Sequence, residues 1–233
     1  MYEVVAMLSY HQRPIRVSPS LLSADFANMG HDAARALAAG GDRLHIDVMD
    51  GRFVPNITMG MPMVDALRRT LGAHAYLDCH LMIVEPERYV EAFAKAGASQ
   101  ISVHVEASPH LHRTIQIIRA TGAHVGVAIN PATSLHSIYE IIDQIDTVLM
   151  MTVNPGFGGQ KYIPQSTQKI QSLRRFIDEH KLTTAIQVDG GIGFDTIATV
   201  AQAGVDDVVV GSNFYMPDRT PQQALAELQR RLG

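Results

Sequence analysis

Residues 43–56 read "RLHIDVMDGRFVPN", and the first half of this stretch has the pattern of a buried β-strand. Its apolar residues alternate along the chain, and they are Leu44, Ile46 and Val48. Successive side chains of a strand point to opposite faces, so His45, Asp47 and Met49 share the other face. Burying an imidazole and a carboxylate is costly unless each finds a partner. This strand therefore predicts a polar site inside the fold.

Short apolar runs of this kind alternate with segments of helical period along the whole chain. The strand candidates span residues 16–21, 43–48, 75–82, 100–105, 124–129, 147–153, 184–190 and 207–212. The helix candidates include residues 25–40, 85–97, 109–122, 164–180 and 194–204. Strands that alternate with helices imply βαβ units and a parallel sheet. This number of units in one chain favours the α/β class, as a single-domain (β/α)8 TIM barrel, and an open doubly wound sheet is the alternative.

The composition argues against several classes of partner. The chain has 233 residues, of which 46% are hydrophobic and 18% charged, and its net charge of −4 is not accompanied by a basic stripe. Nucleic acid and anionic membrane are therefore not expected as partners.

We expect residues 1–15 to be an N-terminal extension rather than a signal peptide, and residues 16–233 to form the catalytic barrel. The single cysteine, Cys79, fits a reducing compartment such as the cytoplasm.

Polar residues lie at the ends of three strand candidates, where the active sites of (β/α)8 barrels are found. They are His45 and Asp47 on the second, Asp78 and His80 on the third, and Gln187 and Asp189 on the seventh. Two imidazoles and two carboxylates that converge could hold a divalent ion such as Zn²⁺, Fe²⁺, Mn²⁺ or Co²⁺. A hydrogen-bonded scaffold is the alternative, since a single His or Asp in a strand is more often structural.

Methionines and glycines accompany these strand ends. Met49 and Met82 share the faces of the polar residues, and Met151 lies near the end of the sixth strand candidate. They either fill the core or form an apolar wall for the site.

Glycine clusters follow the last three strand candidates, in residues 154–160, 189–191 and 211–212. Glycine lets the backbone approach a ligand, and the last loops of such barrels often bind phosphate, with ordinary turns as the alternative.

Seven longer motifs follow one another from about residue 16 to residue 212. They read "SPSLLSADF" (18–26), "HIDVMDGRFVPNITMG" (45–60), "HLMIVEPERYV" (80–90), "HVEASPHLHRT" (104–114), "INPAT" (129–133), "VNPGFGGQKYIP" (153–164) and "VDGGI" (188–192). In this order they resemble the ribulose-phosphate 3-epimerase family. The resemblance implies a (β/α)8 barrel that interconverts D-ribulose 5-phosphate and D-xylulose 5-phosphate. It also implies one divalent metal ion per subunit and a homo-oligomer, either a dimer or a hexamer.

The resemblance assigns roles to individual residues. The metal ligands would be His45, Asp47, His80 and Asp189, and the two aspartates would also be the acid–base pair. The sugar would contact Ser20, His80 and Asp189. The phosphate would lie against Gly156, Phe157, Gly158, Gly159, Gly190, Gly191, Gly211 and Ser212. The methionines that would line the site are Met49, Met82 and Met151. Epimerisation at C3 needs a base on one face of the carbon and an acid on the other, which two carboxylates from well-separated strands can provide.

Two segments beside the phosphate loops depart from the family's usual pattern. Gly193 and Phe194 stand where the family commonly has Lys-Pro, and Asn213 and Phe214 stand in place of an Ala-Ile-Phe run.

The motifs "DCHLM" and "MTV" also occur in relatives that epimerise D-allulose 6-phosphate, so a ketohexose 6-phosphate is the alternative substrate. A metal-free lyase is disfavoured because no strand end that we identify carries lysine. A non-catalytic binding barrel is disfavoured by the intact pair of aspartates.

Overall fold

The computed structural model describes residues 14–232. The prediction of an N-terminal extension over residues 1–15 falls almost entirely outside the described residues. Within them, no helix is both long and apolar enough to cross a membrane.

Among the described residues, eight parallel strands form one sheet. From the second strand to the eighth each pairs with the next, and the first pairs with the last. The strands are β1 (Arg16–Pro19), β2 (Leu44–Met49), β3 (Leu77–Met82), β4 (Gln100–His104), β5 (His124–Ile129), β6 (Thr147–Met151), β7 (Ala185–Asp189) and β8 (Asp207–Val210). A parallel bridge from Ser20 to His45 brings the end of β1 against β2 and completes the ring. The predicted (β/α)8 barrel is confirmed, and the open doubly wound sheet is wrong.

Eight α-helices surround the strands in the part of the chain that the structure describes. They are α1 (Met29–Ala38), α2 (Met61–Leu71), α3 (Val90–Ala96), α4 (Leu111–Ala120), α5 (His136–Tyr139), α6 (Gln165–Glu179), α7 (Ile197–Ala203) and α8 (Pro221–Leu232). The five helix candidates correspond to α1, α3, α4, α6 and α7. The candidates over residues 25–40 and 85–97 also contain short 3₁₀ turns before the α-helix begins, because Asp25 caps one turn and Pro86 starts another.

The two faces of each strand have different surroundings. The outward side chains of β2 and β3 join the large apolar core between strands and helices, and they are Leu44, Ile46, Val48, Leu77, Cys79 and Leu81. The inward side chains of the same strands are polar for most of their length and are also buried, as His45, Asp47, Asp78 and His80 show. The alternation seen in the sequence thus separates a packing face from a chemical face.

The interior of the barrel is too narrow at β5 for any side chain at residue 126. A Cβ built on Gly126 would lie 2.8 Å from the Ser102 Cβ and 3.0 Å from the Ser102 Cα. The neighbouring position on β4 is the direct partner of Gly126 in the sheet, so the backbone has no freedom to separate.

Gly126→Ala is expected to destabilise the protein by about 1–3 kcal/mol through overpacking. The measurement is the free energy of unfolding from urea titration. Gly60→Ala is the matched control, because the nearest atom to its Cβ is a Pro62 carbon at 3.9 Å. An equal effect of both substitutions on stability would contradict this account of the barrel interior.

Candidate active site

Four side chains from three strands meet at the carboxyl end of the barrel. They are His45 and Asp47 on β2, His80 on β3 and Asp189 on β7. One ligand atom of each lies within 4.8 Å of the others. His45, Asp47 and His80 are buried, and the side chain of Asp189 is 16% exposed.

The two imidazoles face the two carboxylates. Asp47 Oδ1 lies 3.2 Å from His80 Nδ1 and 3.4 Å from His45 Nε2. Asp189 Oδ2 lies 3.8 Å from His80 Nδ1 and 3.9 Å from His45 Nε2. Each imidazole thus points one nitrogen at a centre that both carboxylates share.

Asp78 fixes the orientation and the tautomer of His45. Its Oδ2 lies 2.8 Å from His45 Nδ1. The same carboxylate accepts hydrogen bonds from Gln100 Nε2 at 3.0 Å and Gln187 Nε2 at 2.8 Å. Because an ionised carboxylate only accepts, a neutral His45 ring must carry its proton on Nδ1 and keep a lone pair on Nε2. This Nε2 is buried and has no hydrogen-bond partner among the described residues.

Asp78 lies one layer below the cluster rather than in it. The register pairs His45 with Asp78 and Asp47 with His80. Asp78 therefore supports a ring nitrogen, in the way that carboxylates behind metal-binding histidines commonly do.

The surroundings give the two carboxyl groups different proton affinities. Burial raises the pKa of Asp189 to about 7, and the negative charge of Asp47 contributes to this rise. Burial also raises the pKa of Asp47, but the positive charge drawn to His45 and the close contact with His80 outweigh burial and hold that pKa well below its usual range. Ser20 Oγ donates a further hydrogen bond of 2.8 Å to Asp47 Oδ2.

A positive charge between the two carboxylates would stabilise the cluster. Burial lowers the pKa of His45, yet the charges of Asp47 and Asp78 raise it well above its ordinary value. Burial lowers the pKa of His80 to about 4, so this ring is neutral. A divalent ion could replace the positive charge that the metal-free cluster draws to His45, because two carboxylates and two imidazole nitrogens are a donor set that fits such an ion.

A cavity of about 480 Å³ opens above the cluster. Its floor includes Asp47, Asp189 and the three methionines Met49, Met82 and Met151. The other predicted site residues that line it are Ser20, Gly156, Phe157, Gly158, Gly159, Gly190, Gly191, Gly211 and Ser212. His45 and His80 are not among its lining residues, because they lie buried beneath the carboxylates.

The glycines after β7 allow a close approach of the loops around this cavity. Gly190 has φ of 110° and Gly191 has φ of 68°, a region that other residues rarely adopt. A Cβ on Gly191 would lie 2.7 Å from the Tyr162 Cα, in the loop that follows β6. Both positions therefore require glycine for backbone geometry and for loop packing.

The structure shows that the two departures from the family pattern are a matched pair. Asn213 Oδ1 accepts a hydrogen bond of 3.0 Å from the Phe194 N–H. A Cβ on Gly193 would lie 2.8 Å from the Asn213 Cγ, so the asparagine needs glycine opposite it. The loops after β7 and β8 are thereby joined, and Gly193 and Asn213 both line the cavity.

Sequence reasoning missed two polar residues behind the cluster, the buried His104 and the part-buried Glu106. His104 Nε2 lies 2.8 Å from His80 Nε2, and His104 Nδ1 lies 3.1 Å from Glu106 Oε2. The signal was present in the sequence, because Ser102 and His104 alternate with the apolar residues of β4 as the polar residues of β2 and β3 do.

Comparison with known sequences now identifies the family. The profile described as "Ribulose-phosphate 3 epimerase family" matches residues 16–215. The chain belongs to this family. A ribulose-phosphate 3-epimerase of Bacillus subtilis is 49% identical over 217 residues, which cover 92% of this chain and 98% of that protein. One from Synechocystis sp. is 52% identical over 203 residues, covering 86% and 87%. These relatives are named as epimerases, and the family is one of isomerases.

Solved structures of more distant proteins share the fold. The crystal structure of 3-hexulose-6-phosphate synthase from Salmonella typhimurium has a TM-score of 0.71 with this chain. The identity is 18%, and the match covers 94% of this chain and 98% of that one. This similarity supports the barrel architecture alone.

Proposed function

We propose that this protein interconverts D-ribulose 5-phosphate and D-xylulose 5-phosphate by removing and returning the proton at C3, with one divalent metal ion in each subunit. The observation that carries the proposal is the pair of carboxylates, Asp47 and Asp189, with different proton affinities on the floor of the cavity. The printed names of the relatives supply the substrate.

The residues present fit a divalent ion. It would be held by Asp47, Asp189, His45 through Nε2 and His80 through Nδ1, the atoms that face one another. The buried His45 Nε2 has no other partner among the described residues, which supports its use as a ligand. A mixed set of imidazoles and carboxylates suits Zn²⁺, Fe²⁺, Mn²⁺ or Co²⁺. Such an ion supplies a Lewis acid that stabilises the negative charge that develops on the substrate oxygen.

The two carboxylates divide the proton transfers between them. In the metal-free site at neutral pH, Asp47 is ionised and able to accept a proton, whereas Asp189, with a pKa of about 7, is able to hold one. Groups whose environments separate their pKa values in this way can serve as base and acid in one reaction. We infer that one takes the C3 proton from one face and the other returns a proton to the opposite face. The roles exchange in the reverse reaction.

The rest of the cavity positions the sugar phosphate. The hydroxyl of Ser20 holds Asp47 through its hydrogen bond and lies at the cavity wall. The glycine loops after β6, β7 and β8 would surround the phosphate, as such loops do in many barrels of this kind. The methionines Met49, Met82 and Met151 are buried and would keep water from the intermediate.

The substrate is tested by comparing kcat/KM for D-ribulose 5-phosphate and D-allulose 6-phosphate with the same metal-loaded enzyme. We expect the pentose phosphate to be preferred by at least about tenfold, because a pocket that fits the shorter sugar must accommodate an extra CHOH group in the hexose, and one extra methylene alone is worth about 1–3 kcal/mol. A preference for the hexose phosphate would show that it is the substrate instead, with the same proton transfer at C3. No turnover of either would overturn the proposed function.

Assembly and location stay predictions. The resemblance to the family supports a homo-oligomer, either a dimer or a hexamer, and the buried free thiol of Cys79 is compatible with the cytoplasm. Light scattering of the purified protein would measure the oligomeric state.

A further inference from the structure

A row of three polar side chains leads away from the proposed metal centre. His80 Nδ1 faces the cluster, and its other nitrogen, Nε2, lies 2.8 Å from His104 Nε2. His104 Nδ1 in turn lies 3.1 Å from Glu106 Oε2. Both imidazoles are fully buried, and the glutamate side chain is 23% exposed. No water is needed to connect them, because each pair is within direct hydrogen-bond distance.

Glu106 is held firmly at the end of this row. It lies in the short 3₁₀ turn Val105–Ala107, directly after β4. Its Oε1 accepts a hydrogen bond of 2.8 Å from the Asn130 N–H and another from the Thr133 hydroxyl. Burial raises its pKa, but the hydrogen bonds from His104, Thr133 and Asn130 outweigh burial and lower the pKa to about 2. The group is therefore an ionised carboxylate that only accepts hydrogen bonds.

An acceptor at one end fixes the direction of every hydrogen bond in the row. Since Glu106 only accepts, His104 Nδ1 must donate. A neutral imidazole has one donor and one acceptor, so His104 Nε2 must accept, and the donor it faces is His80 Nε2. The proton of His80 is then on Nε2. Its Nδ1 lone pair faces Asp47 Oδ1 at 3.2 Å, so two acceptors lie opposite each other where a bound cation would hold them together. A metal ligand needs that bare nitrogen.

We propose that His104 and Glu106 are positioning residues that hold His80 in its Nε2–H tautomer and so set the affinity of the centre for metal. The inference rests on the proposed metal site and deepens it. It assigns to His80 the same kind of support that Asp78 gives to His45, through two side chains instead of one.

Two substitutions of Glu106 separate proton ordering from a merely structural role. Glu106→Gln keeps the length and an oxygen for Asn130 and Thr133, but it turns an amide NH₂ toward His104. The donors and acceptors of the row then reverse, and the proton of His80 moves to Nδ1, where it blocks metal. Glu106→Ala loses the anchoring contacts but imposes no direction. If proton ordering matters, Glu106→Gln weakens metal binding more than Glu106→Ala does. A merely structural role predicts that Glu106→Ala weakens it more.

The experiment measures the affinity of the metal-free full chain for Co²⁺ and Zn²⁺ by competition with a chromophoric chelator. We expect Glu106→Gln to weaken binding by about 10–100-fold and Glu106→Ala to weaken it less. Thr133→Val is the matched control, because it removes a hydrogen bond to Glu106 without reversing the row, and it should cost at most about fivefold. Affinities equal to wild type in Glu106→Gln, or a larger loss in Glu106→Ala, would overturn the proposal.

A second readout needs neither a variant nor metal. Long-range ¹H–¹⁵N spectra of the metal-free wild type report which nitrogen of His80 carries its proton. We expect the proton on Nε2 for His80 and on Nδ1 for His104, and the opposite pattern would overturn the inference even if Glu106→Gln fails to fold. If the wild type binds neither Co²⁺ nor Zn²⁺, the proposed metal site fails, while the spectra still decide the tautomer.

Discussion

Asp189→Asn is expected to lower kcat/KM for epimerisation by at least about 10³-fold, within the range that a positioned acid or base contributes. The amide keeps the size of the side chain but can neither hold nor release the proton. In the metal-free site, burial and the negative charge of Asp47 raise the pKa of Asp189 to about 7. Asp47→Asn is expected to have a similar effect, because each carboxylate serves one face of the substrate carbon.

The measurement is the rate of epimerisation together with exchange of the C3 proton with solvent deuterium. Asp65→Asn is the matched control, since it makes the same chemical change on an exposed turn of α2, where the Asp65 carboxylate pairs with Arg69. It should leave both rates within about twofold of wild type, as surface substitutions usually do. Full exchange at C3 in either site variant would refute the assignment of the pair.

Removal of metal is expected to abolish activity without unfolding the barrel. The apolar core between strands and helices does not depend on the cluster, so the metal-free protein should keep its circular dichroism spectrum. Zn²⁺, Fe²⁺, Mn²⁺ or Co²⁺ should restore the rate. Mg²⁺ and Ca²⁺ should not, because they prefer oxygen ligands and the cluster contributes two imidazoles.

Elemental analysis of the same sample makes this test decisive. The account requires activity to follow the bound metal as it is removed and returned. A protein stripped of divalent metal that retained the full rate would contradict metal dependence and leave only the carboxylate pair.

The barrel was predictable because strand alternation is a short-range signal. Each strand buries one face against helices, so the apolar residues of β2 and β3 mark their positions without any knowledge of the neighbours. The helices were less visible. The four residues of α5 are too few to show a period, and α2 and α8 were not among the candidates.

The four clustered residues of the candidate site could be predicted from the sequence, but the depth at which each polar residue lies in the barrel could not. His45, Asp47, His80 and Asp189 meet as the resemblance implied. The sequence did not separate Asp78 from them, because it shares a strand face with His80. Only the register, which sets His45 beside Asp78, places it below the centre.

The contact that His104 makes with His80 behind the proposed metal centre could not be predicted for a similar reason. His104 is on a strand whose role was not apparent, and its contact with His80 depends on how β3 and β4 lie side by side. The hydrogen bond between Phe194 and Asn213 likewise joins two loops whose residues are 19 positions apart. In the sequence these loops could be seen only as two unusual segments.

The central claim is a divalent ion held by two imidazoles and two carboxylates from three strands. Diffraction at the absorption edge of Zn²⁺ or Co²⁺, from crystals grown with that metal, tests it most directly. We predict one anomalous peak between His45 Nε2, His80 Nδ1, Asp47 and Asp189, at about 2.0–2.2 Å from each ligand atom. No peak among these four side chains at saturating metal, or a peak at another place, would contradict the account.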